Sequence, residues 1–357
     1  MELPRELIHR LPKTDLHVHL DGSLRPSTLL ELSREDHVEL PFRTPDEVET
    51  YMQETAARDL KTYLSVFDLL LSVLQTPEAL RRVSYELAED AARENVRYME
   101  VRFSPILHDR KGLPWARVIR AVLDGLREAE DRYVIRTGVI LCGIRTMTPE
   151  MSLQLADTTV SFKDNGVVGF DLAGEERDYP AKHHREAFYR IRNQNISGTV
   201  HAGEGFGPPS IHQALHYCGA HRIGHGTLLW KDRDLMNFVN DHRIPLEMCL
   251  TSNVQSGAAT SIREHPFGIY FDAGLRVTLN TDNRLVSNTT MTHELDLACR
   301  NFGLSVYDLR GILINGFKSA FLPYKEKVVL LRGAIDDMDR LFEEYFPGRY
   351  RRLRSFL

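Results

Sequence analysis

The chain has 357 residues, 42% hydrophobic, 27% charged and 9% aromatic, a balance that excludes a disordered or fibrous protein and supplies material for a large core. Forty-five Lys and Arg against 50 Asp and Glu give a formal charge of −5, with no basic run beyond RYRRLR at 349–354, which argues against nucleic acid as a partner. Cys142, Cys218, Cys249 and Cys299 form no CxxC pair, and no apolar run reaches the about 18–20 residues of a membrane span or the core of a signal peptide. The expectation is a cytoplasmic protein with reduced thiols and no membrane partner.

Strand-like runs follow one another at TDLHVH (14–19), VRYMEVRF (96–103), YVIRTGVILCGI (133–144), VVGFDLA (167–173), GTVHA (198–202), RIGHG (222–226), PLEMC (245–249) and RVTLNT (276–281). Helix-period segments such as 78–94 and 207–220 separate most of them, and strands alternating with helices predict a parallel sheet. Eight such units fit a TIM (β/α)8 barrel. No repeat or low-complexity linker divides the chain, so residues 1–357 are read as one domain, with a helical insertion at about 20–95 and further helices at about 291–357. Within the insertion, Leu60, Tyr63, Leu64, Phe67, Leu70, Leu71 and Leu74 form the stripe of an amphipathic helix able to roof the barrel mouth.

In TDLHVHLD the period of two sends Asp15, His17, His19 and Asp21 to one face and the apolar residues to the other. An HxH pair is weak evidence alone, since 15 His in this length give roughly 0.6 such pairs by chance. Three further strand ends carry His201 and Glu204, His225, and Asp282, and the ends of barrel strands converge on one pocket. His17, His19, His201 and Asp282 make an N3O donor set for a zinc-like ion with a position left for water, although such shells also accept cobalt or iron. Other chemistries lack their motifs. His212 and His216 have Gln213 where a zincin needs Glu, and there is no GxGxxG, Walker A, GxSxG or PCxxC element.

Taken in order, TDLHVHLDGSLRP, MEVRFSP, FDLAGEE, HAGE, RIGHG, LEMCLTSN and LNTDN resemble the adenosine deaminase family of the amidohydrolase superfamily, from about residue 13 to 290. The fourth strand lacks the Lys that two-metal amidohydrolases carboxylate, so the resemblance implies one Zn2+ per chain, held by His17, His19, His201 and Asp282. It further implies hydrolytic deamination of adenosine and 2′-deoxyadenosine to inosine and 2′-deoxyinosine: metal-bound hydroxide attacks purine C6 while Glu204 donates a proton to N1. His225 is implied to orient or deprotonate the water, with Glu247 as partner to its ring. The implied substrate-binding set is His19, Asp21 for a ribose hydroxyl, Gly174 for purine N3 through its backbone N–H, and Asn283 for N7; Asp171 and Ser252 are supporting groups. Many family members carry Asp where Asn283 stands, and the Asn amide donates to N7 without needing a proton. Alternatives are deaminases of free adenine, of aminodeoxyfutalosine or of AMP, and a catalytically silent relative; the expected partner is a small purine nucleoside.

Overall fold

A computed structural model describes residues 3–56 and 60–351, residues 56 and 60–65 by their backbone alone. Eight strands among the described residues, β1 (Lys13–His19), β2 (Val96–Phe103), β3 (Arg136–Ile144), β4 (Val167–Ala173), β5 (Ser197–Ala202), β6 (Arg222–His225), β7 (Leu246–Met248) and β8 (Val277–Leu279), pair in parallel in chain order. The ring shuts where His19 N donates to Asp282 O and Asp282 N to His17 O, both at 2.7 Å, a single bridge between Val18 and Asp282. Strand β3 is shorter than its expected span because the preceding helix runs to Arg132 and Tyr133 N closes it on Ala129 O, leaving 133–135 as a bend.

Helices cover the outer face, and their ends follow local chemistry. Thr76 and Thr148 cap Pro77–Arg93 and Pro149–Ser161 from just before a proline at the first helical position, and Ser305 with Asp308 closes a capping box on Val306–Ser319. The insertion after β1 contributes Pro26–Glu35, Pro45–Ala56, Leu60–Ser72 and Pro77–Arg93, and the chain finishes with Met291–Phe302, Val306–Ser319 and Tyr324–Tyr345. In the expected apolar stripe, Leu70, Leu71 and Leu74 are buried, whereas the side chains of Leu60, Tyr63 and Leu64 lie outside the described residues. The four cysteines are unpaired and buried, and among the described residues no helix is long and apolar enough to cross a membrane.

Strand β1 departs from strict alternation. Its register against β2 shifts between Asp15 and Val18, a bulge that lets Leu16 pack with Tyr98 and Ala320 while His17 still reaches the cluster of histidines. Asp15 instead accepts hydrogen bonds from Thr281 Oγ1 at 2.5 Å and Thr281 N at 3.3 Å, so it does not join the face expected for it.

Candidate active site

The carboxyl ends of β1, β5 and β8 bring His17, His19, His201 and Asp282 together, with one ligand atom from each inside a 4.8 Å span. His19 Nε2 lies 3.1 Å from His201 Nε2, and Asp282 Oδ1 lies 3.4 Å from the Nε2 of both His17 and His19. Zinc bonds of about 2.0–2.1 Å in a tetrahedron require ligand separations of about 3.3–3.4 Å, close to these edges. His17 Nε2 is buried with no hydrogen-bond partner, as expected of a donor kept for an ion. The opposite ring nitrogens are engaged: His17 Nδ1 with Glu247 Oε2 at 2.8 Å and His201 Nδ1 with Asp171 Oδ2 at 3.0 Å, which fixes the rings with Nε2 inward. Ser252 Oγ donates to Asp282 Oδ2 at 2.5 Å, and Asp282 adopts φ +60, a strained conformation for a non-glycine residue.

Below the cluster lies a buried ion network. Arg102 joins Asp171 and Glu247, each at 2.9 Å, and Arg222 joins Glu247 and Glu100, each at 2.5 Å. Thr199 and the Leu16 and Ser319 carbonyls add further hydrogen bonds. Two guanidinium groups face three carboxylates, and Asp282 adds a fourth, so the connected set carries a surplus of two negative charges that one divalent cation balances. The donor set, its spacing and its charge all suit such an ion.

Burial, with the charges of Arg102 and His201, pushes His17 down to about 4, and burial takes His19 well below its ordinary value. Burial also opposes charge on His201, but the Asp171 carboxylate beside it prevails and holds His201 above 6.5. Protons therefore compete with metal first at His201. The expected result is zinc affinity that falls as pH drops through the neutral range, by up to about tenfold per pH unit. Competition against a chromophoric chelator at pH 8, 7 and 6 measures it, and a flat profile would contradict this reading of His201.

A cavity of about 440 Å³ opens over the cluster, lined by His19, Asp21, Gly174, His201, Glu204, His225, Asp282 and Asn283, with Phe67, Asp68 and Leu71 of the insertion also in its wall. Every residue singled out as catalytic or substrate-binding is among them, and His17 sits buried behind. Asp21 is 5% exposed, its Oδ1 has no partner, and burial raises its carboxyl to about 7. Gly174 has φ +101, which disfavours any side chain; a Cβ there would meet Ile144 only at ordinary contact distance, so backbone conformation rather than crowding demands the glycine. Gly22 answers to crowding instead, because a Cβ on it would collide with the Asn283 side chain.

Glu204 follows β5 in a loop held by one carboxylate: Glu176 accepts from Gly203 N, Glu204 N and Gly205 N at 2.9, 2.8 and 3.0 Å. Ser256 Oγ donates to Glu204 Oε1 at 2.7 Å, and Glu204 Oε2 lies 3.6 Å from His225 Nε2. The ring of His225 is oriented by Asn253, not by Glu247 as expected; Glu247 is committed to His17, Arg102 and Arg222. Phe267 N donates to His265 Nδ1 at 3.1 Å, so neutral His265 carries its proton on Nε2 and gives it to Asn253 Oδ1 at 3.0 Å. Asn253 Nδ2 then donates to His225 Nδ1 at 2.9 Å, which leaves the proton of neutral His225 on Nε2, facing the cavity. Arg102, Glu176, Asn253, Ser256 and His265 were not singled out from the sequence. Alternation in VRYMEVRF would have paired Glu100 with Arg102, and the second Glu of AGEE stands beside a strand end, but Asn253 and His265 carry no local signal. His212 and His216 are exposed on helix Pro208–His216.

Residues 12–337 match the adenosine deaminase family. An adenosine deaminase from Mycobacterium sp. (strain JLS) is 43% identical over 349 residues, covering 93% of this chain and 96% of the relative. A probable adenosine deaminase from Dictyostelium discoideum is 40% identical over 96% of this chain, which spans 44% of that protein's length. Among solved structures, the N6-mAMP deaminase of Arabidopsis superposes with a TM-score of 0.84 at 30% identity, covering 93% of this chain and 99% of that one. An amidohydrolase from Burkholderia ambifaria with bound Zn gives 0.86 at 24% identity over 96% of each chain, a likeness of fold.

Proposed function

Because this chain belongs to the adenosine deaminase family, we propose that it is the enzyme that converts adenosine and 2′-deoxyadenosine to inosine and 2′-deoxyinosine with release of ammonia. One observation carries the nucleoside assignment: the buried, unpartnered Asp21 Oδ1 lines the same cavity as Glu204 and three of the four donor residues, His19, His201 and Asp282, and a ribose hydroxyl satisfies it where bare adenine leaves it idle. His17, His19, His201 and Asp282 would hold the zinc, which when bound activates water as a nucleophile at neutral pH.

The chain's own groups supply the rest. Glu204 delivers a proton to purine N1, steadied by Ser256 and by the loop that Glu176 fastens. The Nε2–H of His225 orients the attacking oxygen, Gly174 N–H reaches N3, and the Asn283 amide donates to N7. Asn253→Asp reverses the bond to His225: the carboxylate accepts from Nδ1–H and strips the inward proton. The expected result is a kcat lower by about tenfold to a hundredfold at unchanged zinc content; an unaltered kcat would remove this orientation from the mechanism.

The cavity walls also speak to phosphate. Among the described residues lining it there is no Lys or Arg. Arg25 is paired with Asp90 at 2.6 Å and Arg284 with Glu94 at 2.6 Å, and Asp68 of the cavity wall is paired with Arg110 at 3.0 Å. The side chain of Lys61 lies outside the described residues. A nucleoside therefore suits the cavity better than its 5′-monophosphate.

Loss of adenine ultraviolet absorbance on mixing zinc-loaded protein with adenosine, 2′-deoxyadenosine, adenine, AMP and aminodeoxyfutalosine tests the assignment. Preferential turnover of the first two is expected, and turnover confined to any other member moves the substrate. In the same assay Asp21→Ala should raise the KM for adenosine by about 10–100-fold, and equal KM values would release Asp21 from the ribose.

A further inference from the structure

At the end of the barrel opposite the histidine cluster, the starts of β4 to β8 frame a cleft of about 730 Å³ that the deamination reaction does not use. Its wall carries Lys163, Arg243, Arg276, Lys318 and Lys327, with Asp164 as the one carboxylate among the lining residues. Arg222 forms part of the floor, buried and already neutralised by Glu100 and Glu247, its guanidinium 3.5 Å from the centre of the Phe321 ring.

The other five cations make no ion pair among the described residues. Lys163 Nζ donates to Gln194 O, Lys327 Nζ to Lys318 O at 3.3 Å, and Arg243 Nη1 to Asn240 Oδ1 and Gly274 O at 2.6 and 2.9 Å, all uncharged acceptors. Arg276 and Lys327 are half-buried as well. Burial lowers both from their ordinary values, Arg243 adding to the effect at Arg276, and Arg222 and Arg276 at Lys327 against the pull of Glu100.

A second cleft of equal volume provides a comparison within the same molecule. Around Pro26 and Glu94 it is also rich in arginine, but Arg25 is paired with Asp90, Arg93 with Glu89 at 3.0 Å, and Arg284 with Glu94. Arg5 also lines that cleft, and with Glu6, Glu49, Asp90 and Glu94 in the same wall its four arginines meet four carboxylates. The one at the barrel floor has five cations against one carboxylate in a chain whose overall charge is −5.

We propose that the floor cleft is a binding site for a small, multiply charged phosphate compound of the pyrophosphate or triphosphate class. Paired guanidinium and ammonium donors match phosphate oxygens, and the excess of charge calls for more than one anionic group. The concavity has the size of a small-molecule site, and an anion seated there relieves repulsion among cations that the fold leaves uncompensated.

Calorimetric titration of the zinc-loaded protein with pyrophosphate and tripolyphosphate at constant ionic strength tests this, with sulfate and citrate as parallel arms. One saturable site per chain is expected, weakened by about tenfold or more in Arg276→Gln/Lys327→Gln and less in the single, exposed Arg243→Gln. Circular dichroism and zinc content establish that the variants are folded. Binding that the double variant does not weaken is chelation of zinc or an interaction elsewhere, and it overturns the proposal, as does the absence of saturable binding. Citrate or sulfate binding as tightly as pyrophosphate overturns the phosphate assignment.

Discussion

Glu204→Gln is expected to yield a folded, zinc-loaded protein that still binds nucleoside but turns adenosine over about a thousandfold more slowly. The substitution keeps shape and removes the acid. Ser256 can still donate to the side-chain oxygen it now contacts at 2.7 Å, so the loop stays in place. The new amide nitrogen, however, faces the Nε2–H of His225 across the present 3.6 Å gap, donor against donor, and cannot pass a proton to N1. Zinc content, nucleoside affinity and kcat should therefore separate, with only kcat collapsing. A variant with full activity would take Glu204 out of the chemistry, and a variant that loses zinc would show that the loop, and not the acid, had been disturbed.

The second large effect is expected at Arg102, which touches neither the cavity nor the donor atoms. Its guanidinium spans Asp171 and Glu247 at 2.9 Å each, and those two carboxylates hold the Nδ1 atoms of His201 and His17. Arg102→Met leaves both carboxylates buried with their shared counter-charge gone. Stability should fall by about 3–5 kcal/mol. Zinc affinity should fall by about 10–100-fold, since both carboxylates that orient the histidines lose a support, Asp171 its guanidinium and Glu247 one of two. Arg102→Lys recovers only part of this, because one ammonium cannot span two carboxylates in the plane a guanidinium provides. Urea denaturation and chelator competition read the two effects, and a Met variant as stable and zinc-tight as the parent would refute the assigned role.

How far the sequence reached depended on whether the cause was local. That His17, His19, His201, Glu204, His225 and Asp282 would come together was legible because strand alternation and strand ends are written in short windows, and the barrel then gathers those ends. Even there Asp15 escaped, since a register shift in β1 leaves no mark in the residues themselves. Partner choice was the harder matter. Glu247 was expected beside His225 but serves His17, because the two strands that decide this, β1 and β7, are 230 positions apart at these residues. The His265, Asn253 and His225 relay depends on the turn before Phe267, and nothing in the local sequence announces that His265 points back toward β6. The side chain of Lys61 lies outside the described residues.

The bridge between Val18 and Asp282 has a consequence for motion. Two amides, those of His19 and Asp282, make the backbone bridge between the first and last staves among the described residues, beside side-chain bonds at Asp15 and Asn280, and His17, His19 and Asp282 at that bridge are donors in the cluster. Parting of that join and loss of the ion's cage are therefore one event, not two. Slow hydrogen exchange at these two amides would mark the shut barrel, and their exchange rate would track how often the cage stands open while the rest of the cylinder holds.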